Sequence, residues 1–355
     1  MIEKILNVAV FFGGFSTEYS VSLESAYTVI RNLNNQKYRA LPIGITRDGK
    51  WFYFDGEIEK IPADTWLNDT DCTPALLSPN RGEKALYLLT DQGVKPLSVD
   101  VAFPVMHGKF GEDGTIQGLI ELSGIPLVGC GVLSSALCMD KDRAHQLAEH
   151  AGITVPKSFA FEKNYNHSDL IEFSNAVGYP LFVKPVKSGS SYGVTKVFDE
   201  KELLAAVEFA FGFDDTVIVE QAIVGIEVSC AVMGNDTLLV GEVSEIETGG
   251  VFFDFTEKYT PNHTTIHIPA RVSSTISEQI KETAKILYKA LACRGFARAD
   301  FFVTPEGRIV FNEFNTIPGF TEHSLFPAMM KAVGLTFSDV IGRLVEYAVL
   351  SSTDN

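Results

Sequence analysis

Residues 7–12 form an apolar run with no helical period, residues 21–32 repeat apolar positions every three or four residues, and residues 39–46 are again a short apolar run. Runs of this kind separated by a helical period are the order of a β-α-β unit, whose strands are buried on both faces. The first third therefore reads as an open α/β domain. Residues 99–105 add another strand-like run. The Gly-rich stretch 108–118 leads into a helix through Leu122, and residues 125–128 repeat the strand signal. From 134 to 150 the pattern is helical, and residues 151–156, ending in Pro156, read as a boundary.

Beyond that boundary, residues 179–184 and 193–198 are expected strands around the loop Lys187-Ser-Gly-Ser-Ser-Tyr192. Asp199 caps an expected helix to Phe211. Strand signals follow at 217–220, 227–233 and 238–247, then a long helix at 276–292 and a closing hairpin of 299–303 with 308–313. The expected division is three domains: 1–133 (open α/β), 134–220 (small central) and 221–350 (C-terminal, with a metal site and a lid).

Composition narrows the class. The 355 residues are 46% hydrophobic and 21% charged, within the globular range, which excludes disordered and fibrous chains. A formal charge of -16 repels a phosphodiester backbone and anionic lipid, so neither nucleic acid nor a membrane is an expected partner. Five scattered cysteines without a CxxC pair indicate neither a disulfide framework nor a zinc site and fit a reducing cytosol. No signal peptide and no apolar stretch of about 20 residues is visible, so a soluble cytoplasmic protein is expected.

The last hairpin carries the most chemistry. If its turn is the two-residue Pro305-Glu306, Asp300 faces Phe311 and Arg298 faces Glu313, and alternation puts Arg298, Asp300, Glu313 and Asn315 on one face. Two carboxylates and an amide are hard oxygen donors suited to magnesium. A three-residue turn would reverse this parity, and an exposed hairpin with surface ion pairs is the alternative. The loop after Lys184 lies between two strands, which excludes a Walker loop, yet its amides and lysine can cradle phosphate. With a metal hairpin it makes a nucleotide site, since phosphoryl transfer needs both. At Gly13-Gly-Phe-Ser-Thr-Glu18 a strand turns into a helix, with Ser16 or Thr17 as cap and Glu18 in the first turn. Amides there attract an anion and Glu18 attracts an ammonium, which together suit an amino acid; a plain helix start is the alternative. Residues 252–259 mix aromatics with charge and suit a mobile lid or a β edge.

The set Gly13-Gly14-x-Ser16-x-Glu18, His107-Gly108 with Gly111-Glu-Asp-Gly114, Met139-Asp-Lys141, Lys184-Pro185 with Gly189-Ser-Ser191, and Glu313-x-Asn315-Thr-x-Pro-Gly319 resembles the D-alanine:D-alanine ligases of the ATP-grasp fold, in order from about residue 7 to 340. The resemblance implies ATP between the central and C-terminal domains. Its phosphates would meet Lys141, Lys184, Gly189, Ser190 and Ser191, and its adenosine Glu220 and Glu227. It also implies two magnesium (Mg2+) ions, with manganese (Mn2+) as an alternative, on Asp300, Glu313 and Asn315. Arg298 and the Gly319 amide match the oxyanion site. Glu18 would hold the first ammonium, with Ser190 and Tyr259 in support, and His107 would sit beside the first carboxylate. Lys258 and Tyr259 would belong to the lid.

The implied activity is ATP-dependent joining of two D-alanines through an acyl phosphate, for peptidoglycan precursors, by a protein that could act as a homodimer. Trp51 with Gly44-Ile-Thr-Arg47, Ser135-Ala-Leu-Cys138 and residues 252–259 resemble the D-alanine:D-serine ligases of vancomycin resistance. Those enzymes tend to carry an arginine where this chain has Leu325 after His323-Ser324, so D-alanine is the expected acceptor and D-serine the alternative. A non-catalytic nucleotide-binding protein and an ATP-grasp ligase for another carboxylate and amine pair are the remaining readings, and Glu18 with the His107 loop argues for an amino-acid site.

Overall fold

A computed structural model of the chain describes residues 4–68, 70–248 and 264–353. Strand β1 (Leu6–Gly13) is covered on both faces: Val8, Val10 and Phe12 enter one core with helix α1 (Tyr19–Asn32), and Ala9 and Phe11 enter another. That double burial is why its sequence is continuously apolar. It pairs in parallel with β2 (Tyr38–Ile45) on one side. Beyond β2 lie the antiparallel strands β3 (Trp51–Phe54), β4 (Cys72–Leu77), β5 (Ala85–Thr90) and β6 (Gly93–Ser98), and β7 (Val101–Pro104) pairs in parallel with the other side of β1. The chain thus leaves β1 in both directions, so the crevice beyond the C-terminal ends of β1 and β7 is where open α/β sheets bind ligands.

Helix α2 (Thr115–Ser123) follows. The expected strand at 125–128 is a single bridge, Ala102 to Leu127, because Pro126 has no N–H to continue a ladder. The expected helix at 134–150 is two, α3 (Val132–Met139) and α4 (Lys141–His150). Asp140 breaks them with an extended backbone, and its carboxylate accepts from the Arg143 amide as the cap of α4.

The second sheet contains β8 (Ser158–Glu162), β9 (Leu181–Pro185), β10 (Thr195–Val197) and β11 (Thr216–Gln221), all antiparallel in the order β10-β9-β11-β8. Its core takes Leu170 of α5 (His167–Val177), and Leu203 and Val207 of α6 (Glu200–Ala210), which Asp199 caps as expected. The third sheet is centred on β12 (Ile226–Gly234), with β13 (Leu238–Val240), β14 (Ser244–Thr248), β15 (Thr264–His267), β16 (Gly295–Val303) and β17 (Ile309–Asn315). The expected strand at 238–247 is two, β13 and β14; between them Gly241 closes on Met329 of α8 (Leu325–Ala332), where a Cβ would lie 3.1 Å from its side chain.

Helix α7 (Ser274–Ala290) covers one face of this sheet through Ile280, Ala284 and Leu287. On the other side, α8 and α9 (Phe337–Thr353) join Phe296, Phe320 and the β1-α1 residues in one continuous core, so the first and third sheets hold a fixed relation. Among the described residues no single helix is long and apolar enough to cross a membrane. All five cysteines are free thiols.

Candidate functional site

The carboxylate hairpin reaches one face by a route different from the expected one. Thr304 and Arg308 close a three-residue turn, Pro305-Glu306-Gly307, and Phe301 pairs with Phe311, the register that would turn Glu313 and Asn315 away. A β-bulge at Asn312 then adds one residue to β17 and restores the parity, so Asp300 pairs with Glu313 and Arg298 with Asn315. The same-face expectation holds, while the expected partners, Phe311 for Asp300 and Glu313 for Arg298, are corrected. Glu227 and Ser229 of β12 share the face, since Ser229 pairs with Asp300.

Asp300 is fully engaged: Arg298 donates to both of its oxygens at 2.7 Å, Ser229 donates at 2.7 Å and Asn315 at 2.8 Å. Burial alone would lower the Arg298 pKa, but the Asp300 carboxylate overrides it and keeps the guanidinium charged. Lys141, at the start of α4, places its ammonium 3.6 Å from Glu313 and donates to the Ser188 carbonyl at 2.7 Å, tying the carboxylate hairpin to the Ser/Gly loop.

Lys184 lies one residue before the end of β9, and its ammonium lies 2.6 Å from Glu220 on the adjacent β11. Burial would raise the Glu220 carboxyl, and the charge of Lys184, followed by that of His145, holds it below the ordinary value. His145 was not among the residues singled out from sequence. Its position one helical turn after Lys141 was the available signal, and it is legible only once the helix start at Lys141 is known.

At the other end of the cleft, helix α1 begins at Tyr19, so Glu18 is the N-cap position and not in the first turn. Ser16 does not cap the helix: its hydroxyl accepts from the Glu18 amide and donates to the His107 carbonyl, bracing the two loops beyond β1 and β7. Ser190 donates to the Glu18 carboxylate. Gly108 and Gly189 approach that carboxylate so closely that a Cβ would meet it at 2.4 and 2.8 Å. Gly108, at φ +70, also holds a backbone conformation that favours glycine.

His107 is buried, with Nδ1 3.0 Å from the Ile317 carbonyl and Nε2 3.2 Å from the Ser25 hydroxyl. Burial pushes its pKa down, against the pull of Glu18. Both ring nitrogens are engaged within the protein, so His107 positions the 317–320 loop. Glu112, also not singled out, accepts from the Gly108 and Ile317 amides. Burial, reinforced by the charge of Glu18, pushes its carboxyl up to about 8.

A cavity of about 330 Å3 lies over Glu18, lined also by Arg47, Gly108, Lys187, Gly189 and Tyr192. Ser188, Gly189 and Met139 separate it from a smaller one between Glu112, Lys141, Glu313 and Asn315. The amino-acid and phosphate candidates are therefore neighbours across one loop. The Gly319 backbone packs near Ser324, whose hydroxyl pairs with Thr321, and Leu325 opens α8, half-buried against the core. Ser191 lies in the Ser/Gly loop at φ +59. Lys258, Tyr259 and the expected lid at 252–259 lie outside the described residues.

An open α/β sheet followed by two antiparallel sheets, with lysines, carboxylates and a Ser/Gly loop converging between them, is the ATP-grasp architecture. Residues 7–130 match the family model of the D-ala D-ala ligase N-terminus and residues 147–346 that of its C-terminus. The chain belongs to the D-alanine–D-alanine ligase family of ATP-dependent ligases. It is 43% identical over 349 residues to a D-alanine–D-alanine ligase of Caldicellulosiruptor bescii, covering 97% of this chain and 95% of that one. The crystal structure of the VanG D-Ala:D-Ser ligase from Enterococcus faecalis is similar with a TM-score of 0.91 and 52% identity, covering 98% and 100% of the two chains. The D-alanine-D-alanine ligase structure from Coxiella burnetii matches with a TM-score of 0.87 and 32% identity, covering 99% and 95%.

Proposed function

We propose that this protein joins D-alanine to a second D-alanine at the expense of ATP, making D-alanyl-D-alanine for peptidoglycan precursors in the cytoplasm. The observation that carries the reading is the Glu18 carboxylate, held by Ser190, flanked by two glycines and facing a cavity one loop away from Lys141 and the Asp300-Glu313 pair. Glu18 binds the ammonium of the first D-alanine, and Arg298 with the Gly319 amide receives its carboxylate oxygens. That carboxylate attacks the γ-phosphorus of ATP, forming a new P–O bond as the bond to ADP breaks. The amine of the second D-alanine then displaces phosphate from the acyl phosphate. No protein nucleophile takes part; the residues orient reactants and stabilise charge on the tetrahedral carbon.

Lys141, Lys184, Gly189, Ser190 and Ser191 bind the phosphates, and Glu220 and Glu227 the nucleoside. Asp300, Glu313 and Asn315 are hard oxygen donors on one face, a set that suits one or two magnesium ions completed by phosphate and water. Among the described residues no group of three or more His, Cys, Asp or Glu is placed to hold an ion. Bound there, the ions would neutralise phosphoryl charge. We assign 1–133, 134–220 and 221–350 as the N-terminal, central and C-terminal domains, Lys258 and Tyr259 to a closing segment, and a homodimer as the assembly.

Leu325, half-buried at the start of α8, supports D-alanine as acceptor, since an apolar side chain offers no hydrogen bond to a serine hydroxyl. The 52% identity to the VanG D-Ala:D-Ser ligase supports D-serine as the second reading. Product analysis from equimolar D-alanine, D-serine and D-lactate with ATP separates them: D-alanyl-D-alanine as the main product supports the first, D-alanyl-D-serine the second. Absence of any ligated product with ATP turnover intact would overturn both.

A further inference from the structure

We infer that His145 is a positioning residue of the nucleotide site, joining the base-side carboxylate to the metal-side carboxylate through the bulge at Asn312. The inference deepens the proposed function and rests on its assignment of Glu220 and Glu313 to nucleotide and ion.

His145 is 3% exposed and meets the Phe311 ring edge-on at 5.7 Å. Its Nε2 lies 2.7 Å from the Asn312 carbonyl oxygen. A carbonyl can only accept, so Nε2 carries the hydrogen. Asn312 is the residue that the bulge leaves without a cross-strand partner, and a carbonyl left out of the ladder needs a donor from elsewhere. His145 supplies it. Without the bulge, Glu313 and Asn315 would return to the opposite face from Asp300. The other ring nitrogen, Nδ1, is 3.7 Å from Glu220 Oε1. Neither of these two atoms has a hydrogen-bond partner, while Lys184 holds Glu220 Oε2. Lys141 and His145, one turn apart on α4, thus touch Glu313 and its neighbour on β17, and the His145 ring also reaches Glu220 on β11. The second and third sheets, which form the two walls of the nucleotide cleft, meet at this ring.

The two contacts can be separated. His145→Gln keeps an amide N–H for the Asn312 carbonyl but loses the group facing Glu220, and His145→Phe keeps the ring packing but loses both. Three readouts apply: ADP binding by calorimetry in EDTA, kcat for D-alanine-dependent phosphate release with magnesium, and thermal unfolding. His145→Gln should weaken ADP by about fivefold with kcat within about twofold of wild type, while His145→Phe should also lower kcat by about tenfold or more, the scale of a lost buried hydrogen bond. A folded His145→Phe with wild-type kcat and ADP affinity overturns the inference, as does His145→Gln losing kcat as fully as His145→Phe. Losses that only track the folded fraction overturn it too. If the wild type releases no phosphate with D-alanine, the ligase reading fails instead, and the ADP titrations still report on the contact to Glu220.

Discussion

Ser190 donates a hydrogen bond to Glu18, 172 positions earlier in the chain. The contact ties the loop after β9 to the start of α1 and so brings a phosphate-binding candidate against an ammonium-binding one. Ser190 and Ser191 both take positive φ, +48 and +59, a conformation that costs an L-residue roughly 1–2 kcal/mol. Contacts such as the one to Glu18 oppose that cost and hold the loop over the cavity.

Glu18→Gln should raise KM for the first D-alanine by roughly ten- to a hundredfold, the scale of a charge-assisted hydrogen bond. Ser190→Ala should raise it by about tenfold or less, since the carboxylate remains. Steady-state kinetics in D-alanine check both, and an unchanged KM in Glu18→Gln would refute the ammonium assignment.

Glu313→Gln should lower ligation by on the order of a thousandfold while ADP still binds in EDTA, because charge neutralisation at the transferring phosphoryl group is worth several kcal/mol. The fold should survive, since Glu313 is partly exposed at a hairpin end. Near-native turnover in magnesium buffer would sink the metal assignment.

Lys184→Ala should weaken nucleotide binding and destabilise the fold in a pH-dependent way. Glu220 has a folded pKa below its ordinary 4.5, so its stabilising contribution is present above that value and lost as pH falls through the lower folded value. Removing Lys184 leaves a carboxylate that is 2% exposed without its ion-pair partner. This costs about 3–5 kcal/mol at pH 7. The deficit should shrink near pH 4, where Glu220 can protonate. Thermal unfolding of both proteins at the two pH values checks this, and equal deficits would contradict it.

Glu112 gives the opposite slope. Burial, with the Glu18 charge adding, moves it from 4.5 to about 8, so its contribution is complete below pH 4.5 and declines as pH rises to about 8. Glu112→Gln does not titrate. Without ligands, the unfolding temperature of the variant relative to wild type should therefore climb between pH 5 and 8, and a constant difference across that range would show that the carboxyl titrates normally.

Leu325→Arg should move acceptor preference from D-alanine toward D-serine, because a guanidinium donates hydrogen bonds where leucine only packs. The wild type should use D-serine detectably, since an apolar pocket rejects an added hydroxyl by only about a hundredfold. The kcat/KM ratio for the two acceptors, before and after substitution, reads the effect. An unchanged ratio would remove Leu325 as the determinant.

Much of the framework was legible in the chain. The continuous apolar run of β1, the period of α1 and the Asp199 cap follow from local rules of burial and alternation, the last hairpin was legible as a cluster of four polar residues, and a set of short motifs in order identifies the family. Tertiary structure alone decided how the hairpin presents its carboxylates: the turn has three residues, and the Asn312 bulge, with its carbonyl satisfied by His145 from α4, restores the face. It also decided that Lys184 pairs with Glu220, that His107 spends both nitrogens inside the protein, and that Glu112 sits where burial and the nearby Glu18 charge raise its carboxyl. Periodicity reports which residues are buried, because burial repeats along an element. Bulges, ion pairs and shifted pKa values depend on what a residue meets across tens or hundreds of positions, and that is set only when the sheets pack.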